Sequence, residues 1–80
     1  MPQATHALSW RELRNPNKVW SAGSYLVELR ATDNDGHQYS VVDTFDAPHP
    51  LHALGIAFVN FQRLHPAARI DIDETRIYPR

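Results

Sequence analysis

The residues best suited to bind a metal ion lie in the segment His49-Pro50-Leu51-His52. Its two histidines, with Asp46 upstream and His65 downstream, offer the nitrogen and oxygen donors that zinc and nickel prefer. The expected placement is poor, because His49 falls at the start of a predicted helix, His52 points away from its apolar face and His65 follows its end. Histidines at helix ends are commonly caps or surface residues. We therefore predict no metal site and no cofactor.

Part of a calcium-binding pattern occurs at Asp33-Asn34-Asp35-Gly36. The EF-hand loop needs acidic residues at its first and twelfth positions, where this chain has Ala31 and Val42. The same segment is typical of a tight turn, in which Gly36 takes the left-handed backbone conformation. We interpret it as the turn of a β-hairpin.

Catalytic signatures are missing from the sequence. It contains no G-x-S-x-G segment, and no spacing of serine, histidine and aspartate singles out a triad. Asp71, Asp73 and Glu74 form an acidic cluster that could bind a cation. Such clusters more often form the solvated face of an edge strand, where charge discourages edge-to-edge pairing. We predict that the protein is not an enzyme.

Basic and aromatic side chains are interleaved near the N-terminus, a combination that can hold phosphate groups and stack a base. The candidates for nucleic-acid binding are Arg11, Arg14, Lys18 and Trp20. Trp10 and Trp20 are explained more simply as anchors that pin a short helix to a sheet. The net charge of −1 also lacks the basic excess of most nucleic-acid-binding proteins. Nucleic acid is therefore the less favoured partner.

Two groups of apolar side chains are left outside the expected core. On the second predicted helix, a stripe roughly opposite the core face consists of His52, Ile56, Val59 and Arg63. On the predicted hairpin, Leu26 and Val42 point away from the helix. Two such patches on a small protein indicate a surface for a protein partner or for a homodimer. The alternative is that the N-terminal segment or the final strand folds over one of them.

A β-hairpin accounts for the centre of the chain. Its first strand alternates between apolar and polar side chains, as a half-buried strand does. If Asp33 faces His37 across the turn, Leu29 faces Val41 and nearly all the large apolar residues share one face. A two-residue turn would shift the second strand and mix the two faces, so we predict the first register. It leaves Asp43 as the one charged residue on the inner face.

An amphipathic helix follows the hairpin. It begins between Asp46 and Pro50, where Asp46 can cap it and proline fits the first turn. It ends near Leu64, before His65-Pro66. Its expected core face consists of Leu51, Leu54, Ala57, Phe58, Phe61 and Leu64.

The two ends of the chain predict one element each. The segment from Leu8 to Leu13 has a capping box and favours a short helix, with a strand as the alternative. Residues 69–78 read as a final strand whose apolar residues change phase, which predicts a bulge or bend near Asp73-Glu74. The element order is then αββαβ, a small two-layer α+β domain in which an antiparallel sheet of hairpin and C-terminal strand packs on one helix.

The totals bound the class of protein. Eighty residues make a single domain, 1–80, and 42% apolar with 21% charged residues is a globular composition. The chain has no cysteine, which makes a secreted disulfide scaffold improbable. We see no signal peptide and no apolar run long enough to span a bilayer. These features predict a cytoplasmic protein with no membrane contact.

In size and layout the chain is similar to two broad groups of proteins. One comprises phage-borne inhibitors of host defence, including anti-CRISPR proteins, and the other comprises the sheet-and-helix dimerisation domains of some antitoxins. The likeness involves no residue motif, so it assigns no functional residue. It implies a non-enzymatic protein-binding module that inhibits by steric blocking, and alternatively a small nucleic-acid-binding or antitoxin-like regulatory domain.

Overall fold

The computed structural model describes residues 7–14 and 20–80. Its elements, in chain order, are β1 (Leu8–Ser9), α1 (Trp10–Leu13), β2 (Gly23–Thr32), β3 (Gln38–Ala47), α2 (Pro50–Leu64), β4 (Arg69–Ile70), a 3-10 turn (Ile72–Glu74) and β5 (Arg76–Pro79). All strand pairs are antiparallel, and α2 packs against β2 and β3. The predicted α+β class, with one main helix and a short N-terminal helix, is confirmed.

The hairpin adopts the predicted register. β2 and β3 form ten residue pairs, among them Leu29 opposite Val41 and Tyr25 opposite Phe45. From Tyr25 to Ala31 the inner face of β2 is buried, whereas Tyr39, Val41 and Phe45 on the inner face of β3 are only half-buried. The apolar pattern therefore fixed the register, because a shift of one residue would have turned the buried side chains to solvent.

Asp33 holds the turn between these strands. Its carboxylate accepts the N–H groups of Asp35 and His37, each at 2.9 Å, and its carbonyl accepts the N–H of Gly36 at 3.1 Å. Gly36 has the predicted left-handed conformation, with φ of +84°. The His37 N–H contributes most to holding the pKa of the Asp33 carboxyl below its usual value, and the Asp35 N–H adds to it.

β2 is the central strand of the sheet. The strand order is β1-β5-β2-β3, and β4 pairs with β2 further along the edge that β5 occupies. β3 is therefore an edge strand, and no residue in the described ranges 7–14 and 20–80 pairs with its outer side.

The C-terminal segment forms two short strands instead of the single bent strand that the sequence predicts. Ala31 pairs with Ile70 of β4, whereas Val27 pairs with Ile77 of β5. If the register of β5 with β2 continued unbroken, Ala31 would pair with Asp73. It pairs with Ile70 instead, so the 3-10 turn accommodates three extra residues between the two strands. This odd number explains why Ile70 and Ile77 change parity in the sequence yet face the same side of the sheet.

A buried threonine closes the gap between β4 and β5. The Thr75 hydroxyl accepts the Arg30 N–H at 3.3 Å and donates to the Asp71 carbonyl at 3.1 Å. The Arg30 carbonyl in turn accepts the Asp71 N–H at 2.8 Å. Thr75 is the one fully buried polar residue among those described. Its hydroxyl provides a hydrogen-bond partner for the Arg30 N–H of β2 at the point where neither β4 nor β5 pairs with that strand.

The N-terminal segment contains both a strand and a short helix, the two structures that were predicted as alternatives for Leu8 to Leu13. Leu8–Ser9 pairs with β5, and Trp10–Leu13 forms a single helical turn. The Glu12 carboxylate accepts the Ser9 N–H at 3.4 Å, as the predicted capping box requires. Leu8 and Leu13 are buried in the core.

The cap of α2 differs from the expected one. His49 occupies the N-cap position, and its Nδ1 accepts the His52 N–H at 3.3 Å. Asp46 instead lies within β3, where its carboxylate accepts the Ser24 hydroxyl at 2.5 Å. The strand continues to Ala47, which keeps Asp46 away from the helix terminus.

The buried face of α2 is rotated relative to the predicted core stripe. It consists of Pro50, Ala53, Leu54, Ala57 and Phe61. The predicted core residues Leu51 and Leu64 are instead 37% and 74% exposed. The small side chains of Ala53 and Ala57 are fully or nearly fully buried, so the line of closest approach to the sheet runs along them. Leu51 then lies at the margin of the contact, and Leu64 is the last residue of the helix.

Candidate functional site

The outer side of α2 carries the stripe that the sequence singled out. His52, Ile56 and Val59 line one shallow surface, and Val59 is 55% exposed. Arg63 is exposed one turn further on, in the last turn of the helix. His52 is also exposed, whereas Ile56 is half-buried. The role of this stripe as a contact surface stays a prediction.

A deeper apolar groove runs along the neighbouring side of α2, with a volume of about 450 Å³. It is lined by Trp10, Leu51, Leu54, Gly55, Phe58, Ile70 and Ile72. Three separate elements meet there, namely α1, α2 and the segment from β4 into the 3-10 turn. α1, which contributes Trp10 to this groove, is only four residues long.

Gly55 joins the groove to the exposed stripe. It lines both surfaces and is exposed on α2. A Cβ atom added at this position would meet nothing within 4 Å. Glycine in the middle of a helix costs roughly 0.5–1 kcal/mol relative to alanine, and no contact within the described residues explains that cost. We call the combined surface of groove, Gly55 and stripe the α2 docking surface.

The second predicted patch lies on the opposite face of the sheet. Leu26 and Val42 line a common depression with a volume of about 420 Å³, together with residues of the C-terminal strand. Val42 is 54% exposed, and Leu26 is half-buried. The patch is separated from the α2 docking surface by the full thickness of the sheet, because even-numbered residues of the hairpin point away from α2.

The histidines considered as metal ligands are not brought together. His49 and His52 make the N-cap interaction of α2, with ring centroids 6.2 Å apart. His65 lies beyond the other end of the helix, where its ring packs on Phe61 at 4.8 Å. Asp46 is engaged by Ser24. Their arrangement serves the local structure of α2 and gives no shared coordination geometry.

The acidic residues are engaged in local structure as well. Asp71 accepts the Thr32 hydroxyl at 2.8 Å and lies 3.3 Å from the Arg69 guanidinium. Glu74 lies 3.7 Å from Arg30. Asp43, the expected misfit on the inner face, is exposed to solvent.

At the turn, Asp33, Asp35 and His37 place potential ligand atoms within 4.8 Å of one another. The hydrogen bonds of Asp33 to the turn backbone account for this clustering, so it indicates a stabilised turn.

The basic residues proposed for nucleic-acid binding lie partly outside the described chain. Lys18 falls in the range 15–19, which the structure does not describe. Arg14 holds its guanidinium 5.9 Å from the centre of the Trp10 ring, and Arg11 is exposed. Trp20 packs against the hydrophobic core, as the simpler interpretation of the tryptophans predicts.

Sequence reasoning missed the groove because it assigned Leu51 and Phe58 to the core. One signal was present in the chain, namely a glycine in the middle of an otherwise strong helix. The contribution of Ile70 and Ile72 depends on the path of the C-terminal segment, which no local pattern specifies.

Comparison with known proteins finds no matching family model, no matching curated protein and no matching solved structure. Within the described residues, no helix has both the length and the apolar character needed to cross a bilayer. The interpretation of function therefore depends on the geometry of the surfaces alone.

Proposed function

We propose that the protein is a non-enzymatic protein-binding module whose α2 docking surface receives an α-helix of a partner protein. The observation that supports it most is Gly55, an exposed helical glycine with open space at its Cβ position. Where a helix lacks a side chain, a second helix can approach its backbone closely. Gly55 thus supplies a crossing point between the apolar groove and the exposed stripe.

The apolar character of the surface supports the same occupant. An amphipathic helix binds by placing a row of apolar side chains into a groove. Here the groove holds Trp10 and Phe58, aromatic residues of the kind that dominate binding energy at interfaces. His52 and Arg63 lie at the exposed margin and form a polar rim. Arg63 favours an acidic residue on the partner.

The mode of action that follows is occupancy of a protein surface. A rigid small domain that covers a helix of its target can block that target sterically, without chemistry of its own. Inhibition of a host defence complex by a phage-borne, cytoplasmic protein is the specific form of this proposal. It is supported only by the size and layout of the chain.

The test compares three forms of the immobilised protein in capture from the native host's lysate, quantified by mass spectrometry. Ile56→Asp/Val59→Asp places charge on the docking surface, while Gln62→Asp adds a charge at another exposed position of α2 and serves as the control. We expect a protein that wild type and Gln62→Asp retain and the double variant loses. Equal capture of every retained protein by all three folded forms would overturn the proposal.

Gly55→Ala then tests the helix-crossing geometry with the captured protein. Alanine should raise the free energy of unfolding by roughly 0.5–1 kcal/mol and should weaken binding about tenfold, because the added methyl overpacks the contact. A stability gain with unchanged affinity would show that the partner does not approach α2 at Gly55.

The alternative is a small nucleic-acid-binding or antitoxin-like regulatory domain that uses Arg11, Arg14, Lys18 and Trp20. Binding through phosphates weakens steeply as salt rises, whereas an apolar surface responds little. Capture repeated at low and high salt therefore separates the two functions.

A further inference from the structure

The free edge of β3 is unusually open to another strand. β3 runs for ten residues in unbroken register with β2, and no described residue pairs with its outer side. Natural edge strands are usually kept from pairing by proline, by charged side chains (lysine above all), by a bulge or by short length. β3 has no proline, no lysine and no bulge, and it is ten residues long. Its two charged residues are Asp43, on the inner face, and Asp46, so a pairing of this edge must keep like charges apart.

The register identifies which backbone groups face outward. The Asp33 N–H donates to the His37 carbonyl at 3.0 Å, so this pair is hydrogen-bonded, and bonded pairs alternate along an antiparallel ladder. The β3 residues that face β2 are therefore the odd-numbered ones. The outward N–H and C=O groups belong to Gln38, Ser40, Val42, Thr44 and Asp46. On β2, the Arg30 carbonyl bonds to Asp71 on the far side, as this parity requires.

A second copy of the chain can pair with this edge in few ways. The outward N–H and C=O groups of one strand can bond only to the outward groups of the other, so even-numbered residues must pair with even-numbered residues. A two-fold axis that satisfies this condition passes at a residue, and near the middle of β3 that residue is Val41, Val42 or Asp43. An axis at Asp43 sets two carboxylates directly opposite each other, which is destabilising. An axis at Val41 leaves Asp46 beyond the end of the partner strand, since its counterpart would be Gly36 of the turn.

An axis at Val42 uses the strand from Gln38 to Asp46 in full. It sets Ser40 opposite the partner's Thr44, two hydroxyl side chains that can hydrogen-bond. It also sets Gln38 opposite the partner's Asp46, so no like charges are paired. We infer that the protein forms a symmetric dimer by antiparallel pairing of β3 with β3 of a second copy, with Val42 at the two-fold axis.

The side chains on both faces of the sheet fit this arrangement. On the outer face, Val42 meets the partner's Val42, which joins the two exposed patches around Leu26 into one. On the inner face, half-buried Tyr39 lies opposite the partner's Phe45, an aromatic pair of the kind that stabilises sheets. In the single chain the Asp43 carboxylate accepts the Thr44 N–H at 2.8 Å. In the dimer the partner's Ser40 carbonyl takes over that N–H.

The first test uses proline at adjacent positions of β3, followed by sedimentation velocity over a concentration series. Val42→Pro removes an outward N–H, which an edge strand tolerates, and should give a folded monomer at all concentrations. Val42→Thr keeps the N–H and should dimerise as wild type does. Val41→Pro removes a hydrogen bond to β2 and should unfold the hairpin. Dimerisation of Val42→Pro equal to that of Val42→Thr, or a monomeric wild type at the highest attainable concentration, would overturn the inference.

The second test addresses the register and does not depend on proline. Because the chain contains no cysteine, Val42→Cys under oxidising conditions should form a disulfide-linked dimer, since paired Cα atoms about 5.5 Å apart suit a disulfide. Ser40→Cys lies opposite the partner's Thr44 and should remain largely unlinked. Equal cross-linking of both variants would exclude the axis at Val42.

The third test introduces a charge at the exposed residue Gln38 and measures the dissociation constant of the dimer. Gln38→Lys faces the partner's Asp46 and should tighten the dimer about threefold, while Gln38→Asp should weaken it by a similar factor. Identical dissociation constants for the two variants would contradict this pairing.

Discussion

β2 and β3 are the two strands of one hairpin, yet they occupy different environments. Each has ten residues, and each alternates between the two faces of the sheet. On β2 the inner residues are fully buried, and both edges are paired. On β3 the large inner residues Tyr39, Val41 and Phe45 are half-buried and Asp43 is exposed to solvent. Within the described chain one edge of β3 is unpaired.

The difference arises from what arrives later in the sequence. α2 follows β3 directly, but β4 and β5 pair with the edge of β2 that faces away from β3. There Ile77 of β5 is fully buried. A strand's own pattern therefore specifies which of its faces is apolar. Whether the strand becomes a central strand or an edge strand of the sheet is decided by the segments that follow it.

Valine to alanine at matched positions gives the largest expected contrast. Val27 on β2 is 1% exposed, so Val27→Ala should lower the free energy of unfolding by about 2 kcal/mol through lost burial and a residual cavity. Val41→Ala on the half-buried inner face of β3 should cost only about 1 kcal/mol. Urea unfolding at low protein concentration, where the chain is monomeric, provides both values. Similar losses at the two positions would mean that β3 is as well covered as β2.

The same contrast explains how far the sequence predicts this fold. The register of the hairpin follows from Leu29, Val41 and their neighbours, because only one alignment buries them together. The turn follows from Asp33 and Gly36, whose roles are local. Elements with strong local signals were therefore predicted correctly.

Features that depend on tertiary packing were not. Leu51 and Leu64 were assigned to the core because they share the apolar side of α2, but the contact with the sheet centres on Ala53 and Ala57. Helical periodicity alone cannot fix that rotation within the apolar arc. The 3-10 turn that separates β4 from β5 depends on the buried hydroxyl of Thr75, which composition does not reveal.

For the candidate site, sequence reasoning singled out the stripe on the outer side of α2, in which Val59 is exposed and Ile56 half-buried, but it missed the groove beside it. Ile56 and Val59 were apolar residues without a place in the core, which any helical wheel shows. The groove needs residues from α1 and the C-terminal segment as well, and Gly55 indicates it only once its surroundings are known to be open.

The outer edge of β2 supplies the next prediction, of intermediate size. Thr75→Val keeps the volume of the side chain but leaves the Arg30 N–H and the Asp71 carbonyl without this hydroxyl partner. We expect a loss of about 1–2 kcal/mol in the free energy of unfolding, because buried polar groups would lose their hydrogen bonds.

Thr75→Ser provides the matched control, since it retains the hydroxyl and removes one methyl group. Thermal and urea unfolding of both variants measure the difference. If Thr75→Ser were the more damaging of the two, the methyl contacts of Thr75 would matter more than its hydrogen bonds, and the edge of β2 at Arg30 would not need this closure.

The smallest expected effect concerns the turn that joins the two strands. The pKa of Asp33 is held below its usual value by the N–H groups of His37 and Asp35. A carboxyl whose pKa is lower in the folded state contributes stability that is present above the unfolded pKa of about 4. That contribution is lost as the pH falls through the lower, folded pKa.

Asp33→Asn can accept the same hydrogen bonds but carries no charge, so it should lack this pH dependence. The stability difference between wild type and Asp33→Asn, measured by urea unfolding from neutral pH downward, should shrink as the pH falls below the unfolded pKa of Asp33. A difference that stays constant into strong acid would show that the charge of Asp33 does not stabilise the turn, and that its hydrogen-bonding geometry alone brings β2 and β3 into register.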